Sequence, residues 1–176
     1  MRSTSIAAAI LAGSAILVAG PAFAVDPTST TSSFSLGLRV YHECTIETNA
    51  IDFGDTGITD AALDETADVT VDCTERSPYA IALDAGLNGA GDTTARKLKN
   101  GAGDTISYQL YSDGGTANPW GADVGHDTVD SASSTQAATT YHVHAVIPAF
   151  HNKPAGTYSD TITATIWYGG GEVPSH

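Results

Sequence analysis

The stretch "TYSDTITATIWY" (157–168) sets Ile162, Ala164, Ile166 and Tyr168 at every second position. Thr161, Thr163, Thr165 and Trp167 fill the places between. A period of two is a β-strand with one apolar face. The same period recurs in "ADVTVDC" (Val69, Val71, Cys73), in "YAIALD" (Tyr79, Ile81, Leu83) and in "TISYQLY" (Ile106, Tyr108, Leu110). No segment after residue 25 carries the 3.6-residue period over three helical turns, although "AALDET" (61–66) would suit a single turn. Strands are expected at about 34–41, 44–48, 50–53, 67–73, 78–84, 105–111, 139–147 and 157–168. Many short β-branched strands separated by Gly, Asp and Asn define an all-β antiparallel sandwich. Residues 112–138, rich in Gly, Ser, Asp and Ala, read as a long exposed loop with room for short strands that the pattern does not place.

The best-patterned strand is followed by "GGGEVPSH", whose glycines and Pro174 are poor strand material. An immunoglobulin-type sandwich closes with one more strand beside such an element. The expected fold is therefore one strand short, with a groove of unpaired backbone and core side chains at its edge. Such an edge is an aggregation hazard unless something fills it. At the other end, "STTSSFSLGLRVYHEC" (29–44) turns from a Ser/Thr run into alternating Phe34, Leu36, Leu38 and Val40. On pattern alone this is either the first strand of its own domain or a strand for another molecule.

The first 24 residues combine Arg2, an apolar run from Ile6 to Val18 and the small-x-small ending Ala22-Phe23-Ala24. This is the layout of a secretory signal peptide cleaved before Val25. The apolar run is too short to span a bilayer. About 150 residues then remain, enough for one domain with a sizeable core. Export favours a disulfide between Cys44 and Cys73, worth roughly 3–4 kcal/mol at most in the chain-entropy model. Seven Lys and Arg against 20 Asp and Glu give a formal net charge of −13. With the acids scattered and no basic patch, nucleic acid is excluded as a partner.

Catalytic patterns are missing from the sequence. There is no G-x-S-x-G elbow, and "GLNGAGDTTARK" lacks the order of a phosphate-binding loop. The expectation is no enzyme, no cofactor and no small-molecule substrate. His142 and His144 in "YHVHA" project from one strand face, the spacing of an H-x-H metal pair. Neither His42, His126 nor His151 supplies a third ligand at helpful spacing, so no metal site is expected and Tyr141, Val143 and Ala145 are placed inward. Trp120 and Trp167 read either as contact residues or as outer-face aromatics packed under a loop. Arg96, Lys97 and Lys99 read as a solvated strand edge or turn.

Several pieces occur in a familiar order: "CTIETNAIDFGDTG", "VTVDCT", "YAIALDAG", "RKLKNGAGDTISYQLYSD", "WG" and "HAVIPAFHNKPAGTYSDTITATIWY". Together they resemble the spore-coat-U-like (SCPU) subunits of archaic, Csu-type chaperone–usher pili, over essentially all of residues 34–168. The resemblance implies an incomplete immunoglobulin-like β-sandwich lacking its C-terminal strand and completed by donor-strand exchange. It implies a donor strand carrying Phe34, Leu36, Leu38 and Val40. The acceptor groove it implies involves Val69, Val71, Ile81, Leu83, Ile162, Ala164, Ile166 and Tyr168. Partners implied are neighbouring pilus subunits, a periplasmic chaperone and an outer-membrane usher, with the product an extracellular fimbria. The expected division is a signal peptide (1–24), an N-terminal extension (25–43) and a pilin domain (44–176) whose last residues, 169–176, form a tail. The competing reading is a self-complete monomeric β-sandwich that binds surfaces and uses 34–41 as its own edge strand.

Overall fold

A computed structural model of the chain describes residues 28–169 except Glu75 and Gln136. The expected signal peptide, residues 25–27 and the tail beyond Gly169 lie outside the described residues. Two units are distinguished, one ending at Leu38 and the other beginning at Arg39. In the first, residues 28–38 belong to no sheet, and Phe34, Leu36 and Leu38 are 84%, 86% and 91% exposed.

The second unit contains nine strands and, among the described residues, no helix. They are β1 (Cys44–Thr48), β2 (Leu63–Cys73), β3 (Tyr79–Leu83), β4 (Lys97–Lys99), β5 (Thr105–Ser107), β6 (Gln109–Tyr111), β7 (Val129–Ser131), β8 (Thr139–Ile147) and β9 (Ala164–Tyr168). One sheet has the order β1-β2-β8-β6, a second β7-β3-β9, and β4 and β5 form a two-stranded ribbon. Every pairing is antiparallel. This is an all-β, immunoglobulin-like sandwich.

Alternation decides which side chains fill it. The longest pairing sets Leu63 opposite Ile147, Ala67 opposite Val143 and Val69 opposite Tyr141. Residues of one parity on β2 and β8 therefore share a face, and Val69, Val71, Val143, Ala145 and Ile147 bury it. Tyr79, Ile81 and Leu83 of β3 close the core from the second sheet, and Ile106, Tyr108 and Leu110 belong to the same buried cluster. Cys44 faces Cys73 across the β1–β2 ladder and is bonded to it, with Cα atoms 4.0 Å apart. The expected disulfide is present, tying the edge strand β1 to β2.

Several boundaries differ from the sequence pattern. Residues 34–41 and 50–53 form no strand: alternation supplies a face, but a strand also needs a partner backbone, and none pairs with them. The suggested helical turn at 61–66 is instead largely strand, because β2 runs back to Leu63 to meet Ile147 of β8. The single strand expected at 105–111 is two. Its apolar face is continuous, but the pairing breaks at Tyr108, whose backbone N–H donates to Arg96 O as the chain changes partner from β4 to β8. The strand expected at 157–168 is regular only from Ala164, because β3 supplies a ladder partner only that far. Strands β4 and β7 were not placed from sequence.

Two side chains sit opposite to expectation. Trp120, read as an outer-face aromatic, is fully buried; its indole Nε1–H donates to Ile81 O at 2.8 Å. Arg96, read as part of a solvated basic cluster, is also fully buried. Trp120→Ala removes the largest buried side chain and leaves the Ile81 carbonyl without that donor. A loss of about 3–5 kcal/mol is expected in chemical denaturation, with an unchanged m-value.

Candidate functional site

A groove of about 1180 Å³ opens on one flank of the sandwich. Its floor is core: Val69, Leu83, Ile106, Leu110, Val143 and Ala145 all line it. Its two walls are residues 48–58, which leave the end of β1, and 150–162, which lead into β9. From Ala50 to Ile58 the backbone joins no sheet, and the hydrogen bond found there is Gly54 N–H to Asp52 Oδ1 at 2.9 Å. Ile51 and Phe53 pack partly on the core while Ile58 is exposed. The groove thus combines an apolar floor with a wall, residues 50–58, whose backbone donors and acceptors lack ladder partners.

The opposite wall is held mainly by side chains. Asp160 Oδ1 accepts from Leu87 N–H, Asn88 Nδ2 and Thr161 N–H at 2.9–3.0 Å, and Oδ2 accepts from the Tyr108 hydroxyl at 2.8 Å. Asp84 Oδ1 accepts from Thr163 N–H and Gly86 N–H, each at 2.9 Å. Backbone bonds between Lys99 and Ser159 in both directions and from Asp84 N–H to Thr163 O complete the attachment.

Beneath this wall lies the Arg96 guanidinium. Nε and Nη2 donate to Asp84 O at 2.9 and 2.7 Å, Nη2 also to Leu83 O at 2.8 Å, and Nη1 to Gln109 Oε1 at 2.6 Å. All these acceptors are neutral. Burial therefore pulls the guanidinium pKa down, while the charges of Asp84, Asp127 and Asp160 oppose that shift from further off. Burial first, and then the hydrogen bond to Asp160, push the Tyr108 hydroxyl pKa well up, so it stays a donor. For Asp84, burial favours the neutral acid, but the Thr163 and Gly86 hydrogen bonds outweigh it and hold the carboxyl below its ordinary value.

Of the residues named from sequence for a groove, Val69, Leu83, Ile162 and Ala164 line it. Val71 and Ile81 are sealed in the core, and Ile166 and Tyr168 lie further along β9, Tyr168 being 43% exposed. Residues missed include Leu98, Ile106, Tyr108, Leu110, Phe53 and Phe150. The alternation of 106, 108 and 110 marked an apolar face without showing where that face opens. Val40 is 72% exposed at the start of the second unit.

The histidines are engaged on the surface. His142 pairs with Asp68 at 2.8 Å, His144 with Asp64 at 3.5 Å and the Gly115 carbonyl at 2.8 Å, and His151 with Asp60 at 3.4 Å. Val143 and Ala145 point inward between them. Among the described residues no three His, Cys, Asp or Glu side chains are grouped to hold a metal.

The site is an apolar groove on a β-sandwich, bordered on one side by backbone that joins no sheet. The chain belongs to the Spore Coat Protein U domain family, whose model matches residues 30–165. It is 30% identical to "Protein U" of Myxococcus xanthus over 176 residues, covering 92% of this chain and 96% of that protein. Its fold is similar to a chain of the CsuC–CsuE chaperone–tip adhesion subunit pre-assembly complex from the archaic chaperone-usher Csu pili of Acinetobacter baumannii. That similarity has a TM-score of 0.53 and 21% identity, over 72% of this chain and 40% of that one. Family membership marks a structural rather than an enzymatic protein.

The depressed Asp84 pKa has a defined consequence. The ionised carboxylate contributes stability above its unfolded value near 3.8, and that contribution is lost as pH falls through the lower folded value. Wild-type melting temperature is expected to fall more steeply below pH 3.8 than that of Asp84→Asn, which lacks this titration.

Proposed function

We propose that the protein is a structural subunit of a chaperone–usher pilus that polymerises by strand donation. The groove accepts an extended segment from a neighbouring subunit, and residues 34–40 are the segment this chain donates. The single observation carrying the reading is the open groove, apolar on its floor, with residues 50–58 in no sheet on one side and the sparsely paired 157–163 on the other. Family membership and the similarity in fold support it.

The energetics favour a strand that pairs on both sides. Burying Phe34, Leu36, Leu38 and Val40 contributes on the order of 6–12 kcal/mol. Ordering the backbone from Phe34 to Val40 costs roughly 7–14 kcal/mol. Side-chain burial and ordering nearly cancel. Backbone hydrogen bonds to the two walls, each about 0.5–1.5 kcal/mol net, therefore decide whether the strand stays. This chemistry tolerates sequence variation in the donor but not loss of its alternation.

On this reading residues 1–24 are a signal peptide, 25–43 an extension bearing the donor strand and 44–176 the acceptor domain, with 169–176 as a tail. A periplasmic chaperone covers the groove first, and an outer-membrane usher oversees replacement by the next subunit. Because donor and acceptor surfaces differ, the interface does not close and propagates as a fibre on the cell surface.

Deleting residues 25–40 is expected to leave a subunit that a chaperone holds but that no longer fills a neighbour's groove. Gel electrophoresis of assembled material in SDS without heating should then show monomer where the full chain shows a ladder. SDS-resistant polymers from the truncated chain would contradict the donor assignment. A stable, chaperone-independent monomer of the full chain would favour the surface-binding alternative.

A further inference from the structure

The wall formed by residues 157–163 belongs to no sheet, yet its side chains alternate as if it did. Tyr158, Asp160, Ile162, Ala164 and Ile166 are partly buried, and Ser159, Thr161, Thr163 and Thr165 are exposed. Asp160 is a charged residue on the inward parity of a wall that faces an apolar groove. Its carboxylate is saturated by four donors from three places: the turn at Leu87 and Asn88, the Tyr108 hydroxyl and the wall's own Thr161 N–H. Gly86 sits against it with φ +71°, and a Cβ there would overlap the carboxylate.

We propose that Asp160 is the residue that sets the register of the acceptor groove, a positioning residue that pins the sparsely paired wall so that Ile162 and Ala164, and not Thr161 and Thr163, face the incoming strand. This deepens the strand-acceptor reading and rests on it. A slip of one residue turns every side chain of an extended segment to the other face. Regular strands resist that slip through a continuous ladder, whereas this wall has only the Lys99–Ser159 bridge and the Asp84 N–H to Thr163 O bond. Here a slip would pull the carboxylate off Tyr108 and the 87–88 turn together. Asp84 adds a second attachment at Thr163 N–H. The groove is thereby held in its binding parity before any strand arrives.

Two synthetic peptides test this on the full chain. One is residues 29–42; the other has the same composition with Phe34, Leu36, Leu38 and Val40 made consecutive. Wild type is expected to bind the alternating peptide at least about tenfold more tightly, since the consecutive peptide turns half its apolar residues outward. In Asp160→Ala all four bonds are lost, and the preference should fall towards one. Tyr108→Phe removes one of the four bonds while keeping the ring, and should give an intermediate preference. A purely structural role for Asp160 would reduce the folded fraction and weaken both peptides equally, leaving their ratio unchanged; that result overturns the proposal. If Asp160→Ala does not fold, the Tyr108→Phe ratio decides. Wild type binding neither peptide, or both equally, would instead overturn the strand-acceptor reading.

Discussion

Backbone hydrogen bonding in the two groove walls is the constraint on which the rest depends. Buried or half-buried peptide groups need partners. Residues 50–58 and 157–163 flank an apolar floor without a ladder between them. Water that satisfies their polar groups also wets the half-buried Phe53, Leu98, Phe150 and Ile162 that line the groove. Covering the floor with apolar side chains alone would strand the walls, and hydrating the walls alone would expose the floor. An added β-strand meets both demands at once, which is why a strand, rather than a compact ligand, fits the site.

Holding such a groove open requires a scaffold that does not use the missing strand. The disulfide fastens β1 at one side. On the other, Arg96, Asp84, Asp160 and Tyr108 form a polar scaffold beneath and behind the wall. A buried guanidinium bonded to neutral acceptors is an expensive element. Its carbonyl contacts at Leu83 and Asp84 hold the end of β3, from which both carboxylate attachments to the wall are organised. Stability invested in this scaffold keeps the groove's shape independent of its occupant.

The alternation in 67–73, 79–83 and 139–147 made the sandwich legible, because a half-buried strand leaves its period in the chain. The disulfide was legible from compartment and cysteine count. Arg96 was not: beside Lys97 and Lys99 it looks like surface charge, and only the fold brings the carbonyls of residues 83 and 84 and Gln109 around it. Trp120 sits in a Gly- and Asp-rich stretch whose composition says loop, while its indole reaches across to Ile81. Half of the proposed groove residues line it, for a related reason. Parity identifies the inward face of a strand, but which part of that face is sealed and which is open depends on where the neighbouring sheet ends. Ile106, Tyr108 and Leu110 carried the right parity and no mark of their position at the opening.

Amide hydrogen exchange resolved along residues 50–58 and 157–163 tests the central claim most directly, compared between the subunit before assembly and the assembled polymer. Ser159, Thr161 and Thr163 already donate their N–H groups to Lys99 O, Asp160 Oδ1 and Asp84 Oδ1, so the informative amides are those along 50–58 and at Tyr158, Asp160 and Ile162. Added-strand pairing predicts rapid exchange at these amides in the free subunit and strong protection once assembled. Protection of these amides already present in the isolated chain, or rapid exchange of them in the polymer, would contradict it.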